Sequence, residues 1–166
     1  GITTIQESNV SASYVEELKQ QGLQEPFAAD IVTYLMGNPL SETELSLVRV
    51  DSEYFGGVRN GGVKFILDGS PQGRTAWMSQ PYNEGPPGSG SNYAGYPSYL
   101  PDYYRKNAAS MLGRGIPILV HANGDAAIEL MIDGIDEAFD GREVPDHRSV
   151  IIHAQLIRED QLDRVK

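Results

Sequence analysis

The chain has 166 residues, no cysteine and a net charge of −10, from 23 acidic against 13 basic residues. That length suits one domain with a real core rather than two, and 40% hydrophobic with 22% charged residues is an ordinary soluble composition. An acidic chain without a basic cluster argues against nucleic acid as a partner, and the absent thiols exclude disulfides and thiolate zinc sites. A transition metal could be held only by histidine, carboxylate or a modified lysine. No apolar run is long enough to span a bilayer, and no charged-then-apolar leader opens the chain. The expectation is therefore a cytoplasmic protein with no membrane partner.

In chain order, Gly1–Glu7 (GITTIQE) reads as a β-branched strand. Ser13 to Glu16 has the Ser-x-x-Glu spacing of a capping box, so a helix is expected through Leu18 to Gln21 with Gly22 as its stop. Phe27–Met36 (FAADIVTYLM) is the next strand, broken at Asn38-Pro39, and Ser41 to Glu44 offers a second capping box. This strand, helix, strand rhythm is that of parallel α/β architecture.

The organising stretch is Gly61–Tyr82. From Gly62 to Asp68 its residues alternate: Val63, Phe65 and Leu67 point one way, and Lys64, Ile66 and Asp68 the other. A lysine between Val63 and Phe65 is either a snorkelling residue on an edge strand or a functional group inside a barrel. Residues 83–99 (NEGPPGSGSNYAGYPSY) have no apolar periodicity. They read as a flexible linker or, since they lie between a strand and a helix, as a long βα loop able to serve as a lid. Pro101 suits the first turn of a helix running to Gly113 or Gly115.

Ile116–His121 (IPILVH) is an apolar strand ending in histidine. Asp125 is the expected N-cap of a helix whose stripe is Ile128, Met131, Ile132, Ile135, Ala138 and Phe139, closed by Gly141. Arg148–His153 (RSVIIH) repeats the design, with Val150 and Ile152 on one face and Ser149, Ile151 and His153 on the other. His147, with no strand behind it, reads as a surface residue. A further helix is expected in AQLIREDQLDRVK, where the chain stops as if cut. Chemistry in parallel α/β proteins gathers at the C-terminal ends of the strands. Lys64, His121 and His153 at such ends therefore form a candidate constellation, with imidazole suited to Zn-type metals. Burial lowers a lysine's pKa, and its neutral amine can take up CO2 to become a carbamate.

The stretches KFILDGSPQGRTAW, VHANGDAAIELMIDGID and RSVIIHAQL resemble the metal-dependent amidohydrolases, in particular the YtcJ-like branch that includes N-substituted formamide deformylases. The resemblance implies one domain over residues 1–166, holding about strands two to six of a (β/α)8 TIM barrel, with residues 83–99 as a long βα loop. It implies Lys64 as the carboxylated lysine of barrel strand four, and His121 and His153 as the metal-ligand histidines of strands five and six. All three are thus catalytic and metal-binding residues, with zinc the expected cation. Asp68 and Arg74 are candidate substrate contacts, and Arg74 has a second reading as an ion-pair partner of Asp68. Two departures stand out: Ile152 occupies a position where the family usually has glutamate, and the HxH pair of strand one and the aspartate of strand eight are absent.

The resemblance implies hydrolysis of a C–N bond in a non-peptide amide or formamide by a metal-activated water. The alternatives are a non-catalytic truncated barrel that binds or assembles, and a metal-dependent phosphoester hydrolase, for which the sequence offers no phosphate-binding loop. The isolated chain is expected to bind no stoichiometric metal and to be inactive. It is also expected to form a homo-oligomer through open sheet edges at Ile2–Gln6 and Val150–His153, with Ile66, Leu119 and Ile151 on the barrel's inward face.

Overall fold

Among the described residues, five parallel strands alternate with five helices and pair strictly in chain order, giving a five-strand part of a (β/α)8 barrel. The computed structural model describes residues 1–38 and 40–166. The strands are β1 (Thr4–Val10), β2 (Asp30–Met36), β3 (Val58–Ile66), β4 (Ile118–Ala122) and β5 (Val150–His153). The helices are α1 (Ala12–Gln24), α2 (Glu42–Leu47), α3 (Pro101–Leu112), α4 (Asp125–Phe139) and α5 (Glu159–Arg164). The chain break expected at Pro39 lies outside the described residues.

Several local signals act as the sequence implies. Ser41 and Glu44 form the reciprocal capping box of α2. Pro101 opens α3, where a missing N–H costs nothing. Asp140 (φ 47°) and Gly141 (φ 70°) end α4 in left-handed backbone.

Others are displaced. The cap of α1 is Ser11, whose hydroxyl accepts from the Tyr14 backbone N–H, so Ser13 falls inside the first turn. Gly22 does not stop α1 but lies buried within it. A Cβ there would come within 1.8 Å of the Gly56 carbonyl oxygen, so the glycine serves close approach of two backbones. The cap of α4 is Gly124, not Asp125, which occupies the first helical turn.

The helices cover one face of the sheet. Val63, Phe65 and Leu67 of β3 and its extension, with Ile118, Val120 and Ala122 of β4, join Tyr104, Met111, Ile128 and Met131 in the main core. Phe65 meets Tyr104 edge-on, with ring centroids 5.5 Å apart. A smaller cluster of Val10, Val15, Leu18, Ile31 and Val58 lies under α1. The opposite, inward face carries Lys64, in register with Met36 and Leu119, and then His121, in register with Ile66 and Ile152.

Ile151 was expected on that inward face and is not there. It pairs with Val120 and packs on the helix-side core, leaving Val150 and Ile152 inward. No helix among the described residues is long and apolar enough to cross a membrane.

Candidate metal centre

Period-two alternation on β3 sends Val63 and Phe65 to the helices and Lys64 inward. Lys64 is only 6% exposed, and burial holds its ammonium below the usual lysine pKa. Two strands away, His153 follows a different rule. It pairs with Ala122, a core residue of the helix side, so a regular strand would direct its ring into the helix layer. Instead the backbone turns left-handed at His153 (φ 78°) and Ala154 (φ 49°). The His153 ring then meets His121 edge-on, with centroids 4.6 Å apart. Burial, helped by repulsion from His121 and Lys64 and opposed by Asp68, lowers the His153 pKa and so favours the neutral imidazole.

Asp68, expected to touch substrate, is committed elsewhere. Its side chain is fully buried. One oxygen accepts from the Asn123 N–H (3.0 Å), and the other from the N–H groups of Gly124 (2.7 Å) and Trp77 (2.9 Å). A carboxylate just past β3 thus ties down its own loop and the end of β4. The close approach requires Gly124, where a Cβ would sit 1.9 Å from the Trp77 carbonyl oxygen. Arg74 forms no ion pair with Asp68. It pairs with Glu84 at 3.3 Å and donates to the Gly85 carbonyl at 2.7 Å, bracing the loop that follows β3. That loop is further tied by Tyr93 Oη donating to the Arg74 carbonyl and by Ser98 N–H donating to the Leu67 carbonyl.

Asn123, to which the sequence assigns no role, is a neighbour of the site. Its amide donates to the Gly69 carbonyl at 2.8 Å, and His121 Nε2 lies 3.0 Å from the same oxygen. The only hint in the sequence is a polar residue directly after an apolar strand. Asp125 accepts from the Ser79 N–H at 2.8 Å and pairs with Arg158 at 3.0 Å, linking the loops after β3, β4 and β5. His147 is half-buried rather than on the surface: it stacks on Phe139 and accepts the Ser149 N–H at Nδ1.

Two imidazoles in contact beside a desolvated lysine are the right donor chemistry for part of a Zn-type site. Among the described residues, no three His, Asp, Glu or Cys side chains are grouped to hold a metal ion.

A model of the amidohydrolase family matches residues 10–166. The chain belongs to the amidohydrolase family. No curated protein matches this amidohydrolase. Among solved structures it is similar to an uncharacterized metal-dependent hydrolase from Pyrococcus horikoshii OT3, with TM-score 0.78, 23% identity, and coverage of 99% of this chain and 31% of that one. At that identity the likeness is one of fold. A second, an uncharacterized metal-dependent hydrolase from Pyrococcus furiosus, has TM-score 0.74, 26% identity, and coverage of 96% of this chain and 31% of that one. The amidohydrolase chain thus spans 31% of the length of either neighbour.

Proposed function

We propose that this chain carries the central part of a metal-dependent hydrolase acting on C–N bonds of non-peptide amides, of the YtcJ-like, N-substituted formamide deformylase-like kind. One observation carries the reading: a buried lysine with a lowered pKa shares the inward side of the sheet with two touching histidines at adjacent strand ends. Lys64, as its carbamate, with His121 and His153 would hold a divalent cation, zinc by donor preference. When bound, such a cation polarises a carbonyl oxygen and lowers the pKa of water. The chain's own part is to keep Lys64 dry enough for its neutral amine to take up CO2, and to hold the His153 imidazole neutral as a lone-pair donor beside His121. Arg74 and the loop 83–99 it braces are the proposed substrate contacts and cover.

In the complete protein, Lys64→Ala is expected to remove most activity, with partial rescue by bicarbonate or short carboxylic acids. Full activity in Lys64→Arg would refute the carbamate, since a guanidinium cannot become a carboxylate.

A second reading holds for the isolated chain. Without three grouped His, Asp, Glu or Cys ligands among the described residues, the 166-residue chain is proposed to be inactive and to retain no stoichiometric metal. A full equivalent of zinc surviving dialysis against a chelator would sink this. We further propose self-association into a homo-oligomer. β1 and β5 are the sheet edges, and Ile5 (44%) and Val150 (45%) are exposed on them. Sedimentation equilibrium over a wide concentration range is expected to show a dimer, and a monomer throughout would refute it.

A further inference from the structure

His121 can ligate a cation through either ring nitrogen, and its neighbours discriminate between them. Two oxygens face Nε2: the Gly69 carbonyl at 3.0 Å and Asp68 Oδ1 at 3.5 Å. A carbonyl oxygen only accepts, and so does a carboxylate oxygen, this one taking the Asn123 N–H as well. The third neighbour, Asn123 Nδ2 at 3.2 Å, donates to the same Gly69 oxygen at 2.8 Å. Two donors converging on one carbonyl lie close to each other as a matter of geometry. Against these two acceptor oxygens, one of them at 3.0 Å, stands only the second amide hydrogen of Asn123 at 3.2 Å, and the balance places the imidazole hydrogen on Nε2.

The same carboxylate also orders the neighbouring strand end. Asp68 fixes the Asn123 and Gly124 backbone. The Asn123 carbonyl in turn accepts the Leu156 N–H at 3.0 Å, and the Ala122 carbonyl accepts the Ala154 N–H at 3.1 Å. The left-handed turn that brings His153 onto His121 is therefore hung from the segment that Asp68 holds.

We propose that Asp68, assisted by Asn123, is a positioning residue of this centre: it fixes His121 as the Nε2–H tautomer and reserves Nδ1 for the cation. The value of Nδ1 as a ligand rests on the metal-centre reading above, whereas the tautomer does not. Outer groups that orient a ligating histidine typically change metal affinity or activity by about 10–100-fold when lost.

The test is side-chain nitrogen NMR of the whole 166-residue chain labelled at histidine, without metal, above the ordinary imidazole pKa of about 6.5. His121 is assigned by the signals lost in His121→Gln. The wild type is expected to show a single Nε2–H tautomer at His121. In Asp68→Asn the amide oxygen turns to the two donors of Trp77 and Gly124, so its NH2 faces Nε2 and the hydrogen moves to Nδ1. In Asn123→Ala the Gly69 carbonyl loses its second anchor, and a tautomer mixture is expected. Near-ultraviolet circular dichroism establishes that each variant is folded. Should Asp68→Asn not fold, the wild type and Asn123→Ala decide alone. An Nδ1–H tautomer in the wild type overturns the proposal, and so does any folded variant that keeps the pure Nε2–H form.

Zinc added to the same samples then separates the two ideas. Binding at His121 Nδ1, weakened about 10–100-fold in the variants, supports both, and binding through Nε2 overturns the proposal. No response to zinc at all agrees with the reading that the isolated chain retains no stoichiometric metal, and the tautomer result then decides the proposal by itself.

Discussion

The two halves of the sheet are built to different standards. Around β3 and β4, helices α3 and α4 enclose a core in which Val63, Phe65, Tyr104, Met111, Ile118, Val120 and Ile128 are fully buried. Around β1 and β2, the cluster under α1 has five buried members, and Thr4, Ile5, Gln6 and Glu7 of β1 are exposed. The candidate centre belongs to the first half. Lys64 and His121 rise from strands with fully packed backs, and such backing holds functional side chains in place. A lysine on the inward side of β1 would stay hydrated, with no reason for a lowered pKa. What the contrast teaches is that the chemistry at Lys64 depends on packing behind the strand as much as on the residue itself.

Matched truncations should break or sustain that contrast, and theirs is the largest expected effect. Met111→Ala in the main core and Leu18→Ala under α1 both delete buried side chains. In urea unfolding, Met111→Ala is expected near the upper end and Leu18→Ala near the lower end of about 2–5 kcal/mol. Equal costs would mean that the α1 cluster is no weaker than the main core.

Next in size is the Asp125 network, which binds loops to the well-packed half. Burial by itself would raise the Asp125 pKa, but hydrogen bonds from Ser79 and Arg158 outweigh it and leave the pKa lowered. The folded state then binds this proton less readily than the unfolded state does. The stabilisation is complete above the ordinary aspartate value of about 3.9. It is lost as the pH falls through the lower folded value. Asp125→Asn is expected to cost about 1–3 kcal/mol at neutral pH and to flatten the acid end of the stability curve. An unchanged acid limb would show that the network contributes nothing there.

The smallest effect is expected at the start of α2, whose Leu45 joins the main core but whose cap is exposed and local. Ser41→Ala should cost about 1 kcal/mol, seen as a small shift in the urea midpoint with Lys64 and both histidines undisturbed. A loss as large as that of Leu18→Ala would show that α2 is tied into the core more tightly than its single buried side chain, Leu45, suggests.

Local physics was legible residue by residue. Alternation through Val63, Lys64 and Phe65 states which side each residue takes, because a strand has no freedom to do otherwise. The stripe from Ile128 to Phe139 defines α4 in the same way, and the Ser41 to Glu44 box marks the start of α2. These signals span only a few residues, so they survive without any tertiary information, and the resemblance carried by KFILDGS, VHANGD and RSVIIH rests on the same short stretches.

What only the tertiary structure decided are the contacts between segments far apart in sequence. His153 reaches His121 through left-handed backbone at His153 and Ala154, where alternation would have placed it behind the sheet. Ile151 went to the core for the same reason of register. Asp68 looked like a group at a strand tip, free for substrate, until three backbone N–H groups, one from its own loop and two from just past β4, closed on it. Gly22 resembled a helix stop until Gly56 packed against it. A one-dimensional pattern encodes which face a side chain takes while the chain stays regular; where the backbone turns, and which distant donor fills a carboxylate, depend on loops closing over many residues, and only the folded packing sets them.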